Sequence, residues 1–210
     1  MRIALIHAGA VSIPPIAAAF ARDWPEAVLM NLLDDSLFSD RGEGTLPEGM
    51  TQRFLALARY AVGTDAQGIL FTCSAFGPCI DVCAAALAPV PVLKPNEAMV
   101  AAACASGTRI GLLATFPGTL ATMPAEFPPG ITLVPRLAEG AFQALLDGDI
   151  AEHDRLVVAA ARDLVDCDAI ALAQFSLSRA APAVEQALGR AVLTTPGSAV
   201  ARLRALLNPP

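Results

Sequence analysis

The residue whose type and setting point most directly to chemistry is Cys73, in the run Phe71-Thr-Cys-Ser-Ala-Phe-Gly77. An apolar stretch, 68–72, ends just before it, small residues follow it, and the pattern predicts a helix from Pro78. A thiol at a strand-to-helix turn meets free backbone N–H groups, which lower its pKa from about 8.5 and can also cradle a carboxylate oxygen. Ser74 and Ala75 are the candidate donors. A second turn of this kind is Thr115-Phe-Pro-Gly-Thr119, where Thr115, Phe116 and Thr119 follow the apolar run 109–114. Hydroxyls and N–H groups there suit a carboxylate, or else cap a helix. His7 closes the first apolar run and is a natural proton carrier near neutral pH, with Ser12 shortly after it. Arg179, after Phe175-Ser-Leu-Ser178, could pair with a second carboxylate. His153, just past a helix cap, reads as a solvated surface residue, and Ser176 and Ser178 lack the Gly-x-Ser-x-Gly elbow of a serine hydrolase. Val11, Phe76, Phe116 and Phe175 are the side chains expected to set the selectivity of a pocket.

The five cysteines are an odd set, with no paired two-residue spacing and only two histidines to accompany them. Neither a disulfide framework nor a metal site is expected. Cys79 and Cys83 share a helix face and read as core filler, and Cys104 falls in a helix. A net charge of −6, with 14 Lys plus Arg and no basic cluster, excludes phosphate-backbone binding as the main task. No stretch approaches the roughly 18 apolar residues of a membrane span, and the first apolar run is too short for a signal peptide. A soluble, cytoplasmic protein is therefore expected, with no nucleic acid or membrane partner.

Those candidate residues need elements to hold them, and the chain supplies short apolar runs alternating with longer Ala-rich, helix-period runs. That is the pattern of βα units and a parallel sheet. Eight strands are expected at 2–7, 27–31, 68–72, 90–93, 109–114, 131–134, 169–173 and 191–194. Thr45-Leu-Pro-Glu48 and Asp149-Ile-Ala-Glu152 fit helix capping boxes, Pro14-Pro15 suits a first helical turn, and Gly63, Gly107 and Gly189 fall where helix ends favour a left-handed residue.

The chain also repeats itself about halfway. Arg2-Ile-Ala-Leu-Ile6 matches Arg109-Ile-Gly-Leu-Leu113, Gly68-Ile-Leu-Phe-Thr-Cys73 matches Ala169-Ile-Ala-Leu-Ala-Gln174, and Val92-Leu93 matches Val192-Leu193. The offsets imply two pseudo-symmetric α/β halves with four strands each, one formed by 1–94 plus 196–210 and the other by 95–195. Ligands of such folds sit at the C-terminal ends of strands, so Cys73 and Gln174 are expected to face one cleft.

The strand-end Cys73 with its small neighbours, the run Arg109-Ile-Gly-Leu-Leu-Ala-Thr-Phe-Pro-Gly-Thr119 and the half-chain repeat together resemble the aspartate/glutamate racemase superfamily, which includes hydantoin racemases, maleate isomerases and arylmalonate decarboxylases. The resemblance implies two Rossmann-like domains, each a four-stranded parallel sheet flanked by helices, and a small carboxylate-bearing substrate. It implies no metal, pyridoxal phosphate or other cofactor. It also implies two cysteines flanking the substrate's α-carbon, of which Cys73 matches the first. Where the racemases carry Gly-Cys-Thr, this chain reads Ala173-Gln174-Phe175-Ser176. Gln174 has no accessible pKa and can only hydrogen-bond. Cys167 lies seven residues earlier, roughly 23 Å away along an extended strand. A single thiol leaves three readings open: a racemase or isomerase acting next to a carboxylate, a decarboxylase-like lyase protonating one face, and a non-catalytic binder of a small acid. A homo-oligomer, with the dimer favoured, is the ordinary expectation.

Overall fold

The computed structural model describes residues 1–41 and 46–208. The chain forms two compact units, Met1–Pro95 with Ala199–Pro210, and Asn96–Ser198. The first unit runs β1 (Arg2–His7), α1 (Ile13–Asp23), β2 (Val28–Leu33), α2 (Ser36–Asp40), α3 (Met50–Gly63), β3 (Gly68–Phe71), α4 (Gly77–Leu87) and β4 (Val92–Leu93). The second runs α5 (Glu97–Ser106), β5 (Arg109–Ala114), α6 (Pro117–Thr122), β6 (Thr132–Leu137), α7 (Ala141–Leu146), α8 (Ile150–Ala161), β7 (Ala169–Leu172), α9 (Ala181–Leu188) and β8 (Leu193–Thr194). The last helix, α10 (Thr195–Leu207), begins in the second unit and ends in the first.

Each unit holds one four-stranded parallel sheet, ordered β2-β1-β3-β4 in the first and β6-β5-β7-β8 in the second. The repeat read in the sequence is thus a repeat of topology, with Ile3 paired to Gly68 in one sheet and Ile110 to Ala169 in the other. The central strands are buried on both faces, as all-parallel strands covered by helices must be. The edge strands β2 and β6 run to Leu33 and Leu137, past the expected ends, because six-residue ladders to β1 and β5 carry them through Asn31 and Pro135. Proline is tolerated there because an edge strand can leave one N–H position unpaired.

In the first unit Phe54 stacks on Phe71 and packs against Phe76, at ring-centroid separations of 5.2 and 4.9 Å, beneath the turn that carries Cys73. Gly68 lets α10 approach β3, since a Cβ there would meet the side chains of Leu207 and Leu203 at 3.0 and 3.1 Å. The second unit packs Val157, Leu164, Ile170, Leu172 and Val184 on one side of its sheet and Met99, Ile110, Leu112 and Met123 on the other.

The helix punctuation follows the sequence in part. Asp149 accepts the Glu152 N–H at 3.0 Å, but the Glu152 carboxylate turns to Arg155 and does not complete the box. Thr45 lies outside the described residues, and α3 starts at Met50 behind Gly49. Pro14 and Pro15 open α1 as expected, and Gly189 is left-handed at φ 64°. Gly63 instead ends α3 within the helix, and the positive φ passes to Asp65. Gly107 has φ 154°, and a Cβ there would overlap the Asp168 side chain at 2.4 Å. Asp168 occupies that space because its carboxylate accepts the N–H groups of Thr108 and Arg109, each at 2.8 Å, at the start of β5. Gly107→Ala is therefore expected to lower unfolding free energy by at least about 2 kcal/mol in urea titration, through backbone strain and a displaced Asp168.

Candidate functional site

In a parallel βα unit, chemistry collects where the central strands end. Beyond the last ladder pairs the Thr72 N–H reaches Ile6 O at 3.0 Å, and in the second unit the Ala173 N–H reaches Leu113 O at 2.9 Å. The next residues, Cys73 and Gln174, therefore leave the two sheets at equivalent points.

In the first unit His7 ends β1 and is fully buried. Burial lowers its pKa, opposed by its hydrogen bond to Asn31, so the ring is neutral near pH 7. Its Nε2 lies 3.0 Å from Asn31 Oδ1, and Nδ1 lies 2.8 Å from Thr72 Oγ1 and 3.1 Å from Ser12 Oγ. With the Nε2 proton donated to Asn31, Nδ1 accepts from Thr72, whose Oγ1 sits 2.9 Å from the Ser12 hydroxyl. This network ties the end of β1, the turn before α1 and the residue preceding Cys73 into one buried unit. His7, expected as a proton carrier, has both ring nitrogens hydrogen-bonded within the fold and its ring fully buried, and it lines the same small pocket as Cys73. Ser12, 7% exposed, belongs to the same support.

Cys73 is half-buried, with extended backbone, and opens the short turn Ser74–Phe76 that leads into α4. A small, mostly apolar pocket beside it is lined by Ile6, His7, Ala8, Leu37, Phe54 and Phe71. Burial there raises the thiol pKa, and the Ala75 N–H and the Arg41 guanidinium pull it down by less. The sequence reading expected the turn's N–H groups to lower it. The apolar walls outweigh them, and the group rests as a protonated thiol. Arg41 Nε also donates to Ala75 O at 3.2 Å, bracing the turn. Ser74 and Ala75 are half-buried beside the thiol, whereas Phe76 is fully buried against Phe54 and is a core residue rather than a pocket wall.

In the second unit the Thr115 N–H and hydroxyl both donate to Gln174 Oε1, at 2.6 and 3.0 Å. That fixes the amide: its oxygen is taken, and Nε2, with no partner among the described residues, remains as a donor. Thr119 is buried and gives its N–H to Phe116 O, while Phe116 is 42% exposed. Phe175 and Ser176 are buried at 4% and 9% exposure, at the head of a turn through Ala180. Phe175 therefore serves the core of this unit. Val11, in the first unit, is 47% exposed.

Two further expectations are corrected. His153 is fully buried, sharing the inner face of α8 with Val157 and Ala161 at four-residue spacing, a stripe that is legible in the sequence once His is allowed as a core residue. Its Nδ1 contacts Asp154 Oδ1 at 2.7 Å, and its Nε2 is buried without a partner among the described residues. Arg179 pairs with Asp154 at 2.8 Å and is committed to the protein's own carboxylate. Sequence reasoning missed Asn31, Thr72 and Arg41; a lone Asn in the apolar run 28–33 was the signal for the first. Cys79, Cys83 and Cys167 are buried, and among the described residues no three His, Cys, Asp or Glu side chains group as metal ligands. No described helix is long and apolar enough to cross a membrane.

No family model matches the sequence, and no curated protein matches it. Solved structures share its fold. A glutamate racemase from Francisella tularensis subsp. tularensis SCHU S4, in complex with D-glutamate, aligns with a TM-score of 0.70 at 16% identity over 98% of this chain and 80% of its own. An allantoin racemase from Klebsiella pneumoniae aligns at 0.73 and 20% identity over 99% and 87%. A variant of arylmalonate decarboxylase in a sulfate-associated form aligns at 0.71 and 20% identity over 99% and 93%. The α/β fold with two four-stranded parallel sheets is the fold of these enzymes.

Because His7 is neutral in the folded protein with a pKa below its ordinary 6.5, the unfolded chain binds more protons once pH drops below that value. Its contribution to stability should be intact above pH 6.5 and be lost as pH falls through the folded pKa. Urea denaturation at pH 7.5 and pH 5 should show this loss in the wild type and a smaller loss in His7→Gln, which starts less stable by about 1–3 kcal/mol.

Proposed function

We propose that this protein is a cofactor-independent enzyme of the racemase and isomerase type, moving a proton at the carbon next to a carboxylate with Cys73 as its only acid/base cysteine. The observation that carries this reading is a thiol at the C-terminal end of a central strand, lining a small pocket, with a backbone N–H and a guanidinium whose pull on its pKa opposes that of burial. A developing negative charge on sulfur is stabilised by those two groups, and the pocket keeps the S–H proton available until then. Racemases and a decarboxylase having the same fold support the assignment of enzyme class.

A second reading is favoured by Gln174. Its Oε1 is held by Thr115, so it presents only N–H donors and has no proton to exchange. A decarboxylase-like lyase needs a single acid: loss of CO2 leaves an enolate, the Cys73 S–H gives its proton to the α-carbon from one face, and solvent reprotonates the thiolate. The sulfate held by the decarboxylase variant is compatible with an oxyanion pocket in this fold.

Amino acids, hydantoins and malonates incubated in heavy water should acquire deuterium at the α-carbon, and Cys73→Ala should slow this at least about 100-fold. Exchange with retained chirality supports the lyase-type site, and exchange with racemisation supports the first reading. No exchange and no CO2 release from any substrate would leave a binding protein. If Cys73 acts as the acid, the rate should hold to higher pH than an ordinary thiol allows and fall only above the raised pKa. A Gln174→Ala variant with unchanged binding and turnover would remove Gln174 from the site.

A further inference from the structure

One wall of the Cys73 pocket is Leu37, and Leu37 belongs to α2, a five-residue helix too short to be stable by itself. The start of α2 is tied to the sheet, since the Asp34 N–H donates to His7 O at 3.1 Å and the Leu37 N–H to Asp34 O at 3.2 Å. Its far end meets Arg53 of α3. Arg53 Nη2 donates to Asp34 Oδ2 at 2.7 Å and to Ser36 Oγ at 2.6 Å, and Nη1 donates to Asp40 Oδ2 at 2.7 Å. The guanidinium thus brackets α2 from Asp34 to Asp40, a span that its planar fork can serve and a single ammonium cannot. Arg53 stands on firm ground, because the next residue, Phe54, stacks on Phe71 and packs against Phe76. Arg41 follows α2 at once. Its N–H returns to Leu37 O at 3.1 Å, and its Nε donates to Ala75 O at 3.2 Å, in the turn beside Cys73.

We propose that Arg53 is a positioning residue for the Cys73 site: by bracketing α2 it holds Leu37 as a wall of the thiol pocket and Arg41 against the turn that carries Cys73. The proposal rests on the reading of Cys73 as the working thiol. Exposed ion pairs taken singly contribute little, but here one guanidinium, 34% exposed, joins three acceptors on one short segment. What it fixes is local geometry rather than the fold, since Phe54, Leu55 and Ala58 bind α3 to the core with or without the guanidinium. Without the bracket, α2 keeps its backbone tie at Asp34 and loses its hold at Asp40. Two groups with opposite pulls on Cys73, apolar Leu37 and cationic Arg41, then move away together. Burial is the larger pull, so the released thiol is both more accessible and more readily ionised.

Alkylation of the intact protein by iodoacetamide, followed cysteine by cysteine by peptide mass mapping, tests this. Arg53→Ala should speed modification of Cys73 at least about tenfold at neutral pH, and move the midpoint of its pH profile down toward that of an ordinary thiol. Cys167, buried in the second unit, should keep its wild-type rate. That selectivity separates a local release of α2 from general unfolding, which would expose both thiols. Arg53→Lys keeps the charge without the fork and should restore part of the protection. Asp40→Ala removes only the far end of the bracket, from a side chain that is 55% exposed, and should speed Cys73 modification in the same direction. It decides the matter if Arg53→Ala fails to fold. An unchanged Cys73 rate and profile in Asp40→Ala and in a folded Arg53→Ala overturns the proposal, as does parallel acceleration of Cys73 and Cys167 in both variants. The two proposals fail separately, because alkylation needs no turnover. Cys73-dependent exchange with unchanged alkylation in the variants removes the bracket alone. Altered alkylation without exchange from any substrate removes the catalytic reading and leaves Arg53 as the residue that shapes the Cys73 pocket.

Discussion

One backbone hydrogen bond in each unit sets the point at which its central strands release the chain. The Thr72 N–H to Ile6 O bond, and its counterpart from Ala173 to Leu113 O, are the last rungs between the two central strands. Up to that rung, φ and ψ are dictated by the ladder and side chains by burial; one residue later the chain is released into a turn. Cys73 and Gln174 are those released residues. Everything else near them can be read as holding that exit in place, with the His7, Asn31, Thr72 and Ser12 network below one and the Thr115 donors against the other.

The two exits are then made chemically different by their surroundings. At Cys73, desolvation by Leu37, Phe54 and Phe71 opposes the Ala75 N–H and Arg41, and desolvation wins, so the proton stays on sulfur. At Gln174, two donors converge on one oxygen and polarise the amide toward its nitrogen. The first exit holds a titratable thiol, and the second holds only fixed dipoles.

The frame was legible in the sequence because buried parallel strands have a strong signature. Arg2–His7 and Arg109–Ala114 have the expected bounds, and the half-chain repeat is the repeated sheet order. Cys73 and Gln174 could be matched because the ladder runs unbroken from matched strands up to them. What was not legible depended on contacts distant in sequence. The sign of the Cys73 pKa shift required knowing that Phe54 and Leu37 close over it, and the burial of His153 and pairing of Arg179 with Asp154 join segments 25 residues apart. Asn31, in an otherwise apolar edge strand, announced a buried partner without naming it.

The place of residues 73 and 174 just past the last rung bears on how such proteins diverge. The two exits differ in what an exchange would cost, since Gln174 accepts both the N–H and the hydroxyl of Thr115 and its loss would leave those buried donors unpaired. Racemases and a decarboxylase share this one fold, so strands laid out alike carry different chemistries in those proteins.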